Sequence, residues 1–488
     1  MKQLLNYCKS CTIEQIGEVK CSIAGLIRVS ENYSVRIETK ELSRELYQQM
    51  EHNDNDIIYL KTVDQHVTIM GYWVIDQHTR GIEDVVYSIT CEAKKSFWGN
   101  QYCSIEKNCF EDFTVQVTEG VELIGLTPYG ELDIKDTSFH MPSEIYIDTN
   151  IKQIGKDDGF SCFVAPIVQR IGTDIRLGIQ YGIQYGIQYI VNCSHECGLS
   201  ISDIEEKIHS LILLLEILCG ERISTTRIQV RQKEEIYKYL GEPMLLKERL
   251  NTFDKEHFDS HGYVRRKIFK LSDFRQDIDE VISQFGELYI EDRVAFEAYQ
   301  QLMMDEELQI FTVNNFLKAM QMVEGIERLE DRQKIDKEFK KEKHRVMKGI
   351  TDEKDREFVK KYCNNLGETF RECLEKIIKS CLLVLSEIDN FCCEDIITKI
   401  VNDRNVYTHA SHKNVPLLSQ EDLWGLTYCF EVFFRVEVLI KLGLSKELIR
   451  KRFSYDRTFV AYYENLFGKA IKVENCGTGE YDDIMQSI

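Results

Sequence analysis

Arg404, Asn405 and His409 stand in the run Arg404-Asn405-Val406-Tyr407-Thr408-His409, and no other group of side chains in the chain is as well suited to chemistry. On a helix Asn405 and His409, four apart, share a face. Arg404 is offset around the helix, but its long side chain reaches the same space. The set suits cleavage of RNA by its own ribose 2′-hydroxyl. Histidine titrates near neutral pH and can move the proton. Arginine stays charged and forks onto phosphate oxygens, so it can hold the charge that develops on a phosphorane. Asparagine can orient either group through its amide. This chemistry needs no metal or other cofactor, and none is expected. The bare Arg-x4-His spacing is weak evidence, because chance supplies it readily in a chain of 488 residues. Asn directly after Arg makes the pattern rarer, and it occurs once. The residues alone leave two readings open: a nuclease site, or a helix end whose last turn favours a cation such as His409.

RNA would also need groups that hold its phosphates. Arg265, Arg266, Lys267 and Lys270 form one basic run. Lys334, Lys337, Lys340, Lys341, Lys343, Arg345 and Lys348 form a second, diluted by acids. Both read as solvated faces. Lys446, Arg450, Lys451, Arg452 and Arg457 form a third, which follows a long apolar helix. Its Arg450, Lys451 and Arg452 are the RNA-binding candidates. Cys8 and Cys11, with Cys193, His195 and Cys197, have some of the character of a zinc site. The two groups are far apart and the second spacing is loose, so no metal site is expected. His412, just beyond His409, reads as a loop residue. No phosphate-binding glycine loop, dinucleotide fingerprint, HExxH or serine nucleophile elbow is present.

The elements that must carry these residues fall into two kinds. The first two hundred residues alternate apolar and polar side chains, as in Ser34-Val35-Arg36-Ile37-Glu38 and Phe113-Thr114-Val115-Gln116-Val117, which predicts half-buried strands. Thr127-Pro128-Tyr129-Gly130 reads as a turn between them. Gly178-Ile179-Gln180-Tyr181 recurs at Gly182–Tyr185 and Gly186–Tyr189. An even period keeps Ile and Tyr on one face of an extended strand. From Ile201 apolar residues recur at helical spacing, and a mixed stretch runs to about Lys270. Beyond it, helices are predicted over Phe274–Leu288, Val294–Met304, Val313–Leu329, Lys337–Met347, Asp355–Leu385, Glu394–Tyr407 and Gln420–Leu442. Pro416 sits in the loop Ser411–Ser419, where a helix must break. The expected class is α+β multidomain: residues 1–270 β-rich and regulatory, helical from about 201; 271–472 an all-α bundle; 473–488 an acidic tail.

Bulk properties limit the function. The net charge of −20 argues against a protein that coats nucleic acid generally, though not against a local basic site. A membrane helix needs about 20 apolar residues and no run approaches that, so no membrane association is expected. The start Met1–Tyr7 lacks the core of a secretory signal. With 17 scattered cysteines this points to reduced thiols and a cytoplasmic location.

The segment Ile400–His409 resembles the catalytic helix of the HEPN superfamily, whose motif is Arg, a polar residue, a short spacer and His. The flanking stretches, Val313–Leu329 with its Met-Val-Glu-Gly-Ile-Glu and Leu423–Leu444 ending in Lys-Leu-Gly-Leu, resemble the ApeA-like HEPN group. The likeness covers about Val313–Phe453. It implies a helical HEPN bundle after a β-rich domain, in a bacterial anti-phage protein acting by abortive infection. It implies an endoribonuclease with Arg404, Asn405 and His409 as its site and a homodimer through the bundle. A phage-derived trigger bound by the N-terminal half, and tRNA as one target, fit the same picture. The rival expectation is an inactive HEPN scaffold that dimerises and binds RNA, since a fold alone guarantees no activity.

Overall fold

The computed structural model describes residues 7–30, 33–53, 56–80, 85–106, 109–117, 152–157, 160–174, 182–220, 222–223, 225–241, 269, 273–274, 278–307, 311–327, 332–362, 369–387, 393–409, 415–468 and 471. For 116–117, 152–157, 160–174, 182–197, 226–227, 278–279, 283, 305–307, 327, 332–338 and 361–362 it describes the backbone alone. The chain divides into two compact units, Met1–Ser272 with Asp277–Ser283, and Asp273–Gln276 with Gln284–Ile488.

The first unit is β-rich. Its strands are β1 Tyr7–Ile16, β2 Val19–Val29, β3 Val35–Thr39, β4 Ile57–Lys61, β5 His66–Arg80, β6 Val86–Gly99, β7 Phe110–Val117, β8 Lys152–Asp157, β9 Phe160–Asp174, β10 Gly182–Leu199, β11 Thr225–Gln232 and β12 Glu235–Leu240. They form one sheet in the order β3-β2-β1-β4-β5-β6-β12-β11-β7-β10-β9-β8. A further pairing of β3 with β6, with Ile37 opposite Cys91, closes the first six strands into a ring. Closure removes exposed edges and gives each strand an inner face. In β3, Val35, Ile37 and Thr39 point inward and Arg36 outward, as the alternation predicts. The second and third Gly-Ile-Gln-Tyr copies lie in β10, paired with β9 and β7; residues 175–181 lie outside the described residues. The predicted turn at Thr127–Gly130 and the first basic run are also outside them.

Among the described residues two helices accompany the sheet, α1 Arg44–His52 and α2 Ile201–Cys219. Ser200 and Asp203 cap the start of α2 reciprocally, and Gly220 ends it in the left-handed region at φ 71°. Leu211–Cys219 is buried throughout, including Glu216, which accepts from the backbone N–H of Ile223 and pairs with Arg222 at 3.1 Å. After α2 the mixed stretch returns to the sheet as the β11–β12 hairpin.

The second unit is helical: α3 Ile278–Glu291 (its residues up to Ser283 fall in the first unit), α4 Arg293–Glu307, α5 Val313–Glu327, α6 Arg332–Gly349, α7 Glu353–Tyr362, α8 Phe370–Ser386, α9 Glu394–His409, α10 Gln420–Lys441, α11 Lys446–Phe453 and α12 Arg457–Phe467. Its centre is α10, buried on nearly every side from Leu423 to Leu439. A helix that is apolar all round belongs in a core. Phe433 meets Phe430, Phe459, Tyr463 and Phe467, the last at 5.5 Å between ring centroids. α5 and α8 pack beside α10, and α9 packs against both α5 and α8. One predicted helix is corrected: Asp355–Leu385 is two helices, α7 and α8. Thr369 and Glu372 exchange side-chain and backbone hydrogen bonds in a capping box, which starts a new helix where periodicity alone runs on. The last two helices, α11 and α12, extend the bundle beyond the predicted ones.

Candidate active site on the helix Glu394–His409

α9 exists because Ile397 and Ile400 bury one side of it and Glu394 and Asp395 suit its first turn. The next inward position is Asp403, which is fully buried. Its carboxylate accepts the backbone N–H of Leu417 at 2.7 Å and of Leu418 at 3.0 Å, and the Asn402 amide at 2.9 Å. Asn402 also donates to the Val415 carbonyl at 3.0 Å. Two adjacent polar residues thus fasten the Pro416 loop onto the helix that carries the candidate site.

Arg404 turns away from that loop. Its side chain is 27% exposed and is held from three directions. The guanidinium carbon lies 5.0 Å from the Phe370 ring centroid, a cation–π arrangement. Nη2 is 3.4 Å from Glu324 Oε2 on α5. Nη1 is 3.5 Å from Asn405 Oδ1. Both polar contacts are long, so they orient the fork without binding it tightly. Among the described residues they engage two of its five N–H donors, which leaves donors for a phosphate.

His409 is exposed at the last position of α9, and no hydrogen bond joins it to Arg404 or Asn405 among the described residues. The structure therefore brings Arg404 and Asn405 together and sets His409 further along the helix, four residues after Asn405. Tyr407 is half-buried; burial, helped by the Asp403 carboxylate, raises its phenol above the ordinary value, so it is a neutral donor at physiological pH. His412 lies outside the described residues.

Arg450, Lys451 and Arg452 have three different surroundings. Arg450 is 10% exposed and ion-paired with Glu387, the residue that ends α8. Arg452 is half-exposed with Nη2 3.7 Å from Asp273, and Lys451 is exposed. Only the last two are open to a ligand. Cys8 faces out and Cys11 in along β1, three residues apart on opposite sides of a strand, so they cannot share one ion. The side chains of Cys193, His195 and Cys197 are outside the described residues.

Sequence reasoning missed Glu324, Phe370 and Asp403. Two carried a usable signal. Asp403 follows Ile397 and Ile400 at helical spacing, so it is an acid at a core position. Glu324 adjoins Val323 on a helix whose Phe316, Met320 and Val323 are buried. Acids placed so need partners. Phe370 carried none, because its approach to Arg404 depends on how α8 packs.

Two family models match the chain: the ApeA N-terminal domain 1 over residues 18–285 and the Apea-like HEPN over residues 317–448. The chain belongs to the ApeA-like family. The ApeA-like chain thus has a HEPN domain that includes Glu324, Phe370, Arg404, Asn405 and His409, and the family places it among anti-phage defence proteins with a HEPN nuclease-like role. No curated protein and no solved structure matches it. No helix among the described residues is long and apolar enough to cross a membrane.

Proposed function

We propose that this ApeA-like protein is a metal-independent endoribonuclease of an abortive-infection system, which cuts cellular RNA in the cytoplasm once phage infection activates it. The observation that carries the reading is Arg404, oriented by Glu324 and Phe370 with donors to spare, five residues before an exposed histidine on the same helix and within the matched HEPN segment.

In the reaction the ribose 2′-oxygen bonds to phosphorus and the P–O5′ bond breaks. The 2′-hydroxyl loses a proton and the leaving 5′-oxygen gains one. His409 moves these protons, Arg404 holds the charge on the non-bridging oxygens, and Asn405 orients the arginine it touches. One histidine serves one of the two transfers at a time. Two copies facing across a twofold axis bring two histidines and two arginines to one RNA, so we propose a homodimer through the bundle. Val415 and Leu417 are exposed apolar side chains in the loop fastened to α9, and Trp424, exposed on α10, stacks on Phe311 at 5.7 Å; we propose that they supply a surface for that contact. tRNA is one target compatible with the chemistry. Of the three RNA-binding candidates Arg450, Lys451 and Arg452, the reading keeps Lys451 and Arg452 as phosphate contacts, because they are more exposed than the ion-paired Arg450.

The test is the product. Cleavage should persist in a chelator, leave 2′,3′-cyclic phosphate and 5′-hydroxyl ends, and vanish in His409→Ala and Arg404→Ala. Ends bearing 5′-phosphate, or full dependence on magnesium, would point to another site. Unchanged cleavage and toxicity in His409→Ala would favour the inactive-scaffold reading.

A further inference from the structure

α6 carries eight Lys and Arg against three Asp and Glu, in a chain whose net charge is −20. Their placement is not random. Lys334, Lys337, Lys341, Arg345 and Lys348 are spaced three, four, four and three apart, which puts all five within about 80° of the helix circumference over ~21 Å of its length. Glu338 and Glu342 lie to one side of this stripe. Ile335, Phe339 and Val346 take a separate face at spacings of four and seven.

The described side chains of this segment are also unburied. Among the described side chains from Phe339 to Lys360, covering most of α6 and α7, none is buried. An ion pair on the stripe, Arg345 with Glu342, is exposed and three residues apart, a kind that contributes little and that a phosphate can displace.

The position of this segment in the chain decides what it would serve. In the chain it follows α5, which ends three residues after Glu324, and precedes α8, whose first residue is Phe370. Glu324 and Phe370 are two of the three residues that hold Arg404. Along the chain the α6–α7 segment is therefore flanked on both sides by residues that hold the candidate phosphate-binding arginine.

We propose that the basic stripe of α6 is a binding site for the RNA phosphate backbone, an arm that takes several successive phosphates of the substrate and leads the strand to Arg404. The inference rests on the ribonuclease reading and adds to it where the substrate is held. Anionic lipid is the other polyanion such a stripe could meet. RNA is favoured because the segment is flanked in the chain, on both sides, by residues that hold Arg404.

The experiment uses the full chain with Lys337, Lys341, Arg345 and Lys348 all changed to Gln, which keeps helix propensity and removes charge. Binding of a fluorescein-labelled RNA hairpin is followed by anisotropy in the His409→Ala background, so that the RNA stays intact. Salt is varied between about 50 and 200 mM. The slope of log affinity against log salt should shrink by roughly 0.7–0.9 for each phosphate that is no longer neutralised, about 3 for four, with affinity falling more than tenfold. Changing Lys340 and Lys343, which lie off the stripe, should move the slope less. In the active background the stripe variant should raise KM and leave kcat at saturating RNA unchanged. Circular dichroism should match the parent. An unchanged slope and KM in a protein that does cut RNA overturns the arm and leaves the ribonuclease reading standing. So does a stripe whose removal abolishes binding to phosphatidylglycerol vesicles but not to RNA. A parent chain that neither binds nor cuts RNA overturns both.

Discussion

At the scale of residues, the candidate site depends on acids as much as on its cations. Arg404 has enough reach to adopt many rotamers, and Glu324 with Phe370 narrows them. Glu324→Gln keeps the shape and removes the charge that draws the guanidinium. We expect kcat to fall about tenfold, ~1.4 kcal/mol of barrier, with KM and thermal stability nearly unchanged. Single-turnover cleavage by the pure variant checks this, and parental kcat would show that Phe370 alone suffices. Asp403 acts differently. Asp403→Ala strands the backbone N–H groups of Leu417 and Leu418, so it should cost about 2–4 kcal/mol in urea unfolding. These acids mark what was legible in the sequence. Arg404, Asn405 and His409 could be picked out because their spacing is local to one helix. Glu324 is 80 residues from Arg404, and only the packing of α5 on α9 brings them together.

At the scale of elements, periodicity found the strands β3 and β7 and, to within about a turn, the helices α3, α4, α5, α9 and α10. It ran through the break between α7 and α8, because the break is made by a capping exchange at Thr369 and not by loss of pattern. Two helix junctions depend on single residues. A Cβ at Gly325 would lie 2.6 Å from Ala295 Cβ and 2.7 Å from Asp292 Oδ2, so the glycine lets α5 approach the start of α4 closely. Because Glu324 is its neighbour, Gly325→Ala should disturb Arg404 as well as packing. Arg450 ties α11 to the end of α8 through Glu387. Glu387 is 43% exposed, so solvent weakens the pair, and Arg450→Ala should cost only about 1–2 kcal/mol. Lys451→Ala and Arg452→Ala should each cost less than about 0.5 kcal/mol, as surface changes do. Their effect should instead appear in the salt dependence of RNA binding. Thermal unfolding of the three variants separates the roles. A large destabilisation in Lys451→Ala would contradict the exposed position of that side chain.

At the scale of the whole molecule, a ribonuclease that cuts its host's RNA must be held inactive until needed. The only other large part of the chain is the β-rich unit. Its composition foretold strands, but not the ring closed by β3 on β6, because pairing between strands about fifty residues apart leaves no local trace. A closed ring with a continuing sheet gives a stiff surface, which suits recognition. On the proposed function, activation would require a phage component that binds the inactive and active states of the protein with different affinity, since equal affinity shifts nothing. Each unit has its own core, α10 with its aromatic cluster in one and the strand interior in the other. A chain starting at about Leu271 should therefore fold, with the helical circular dichroism and cooperative melting of an intact bundle. Expressed in cells it should be toxic without infection, or inert during it, whereas the whole chain should be harmless until phage arrive. His409→Ala in the short chain should abolish any toxicity, which ties it to cleavage and not to misfolding. If the short and whole chains protect cells equally and respond to the same phage, the trigger is read by the helical unit and the β-rich half is not the sensor.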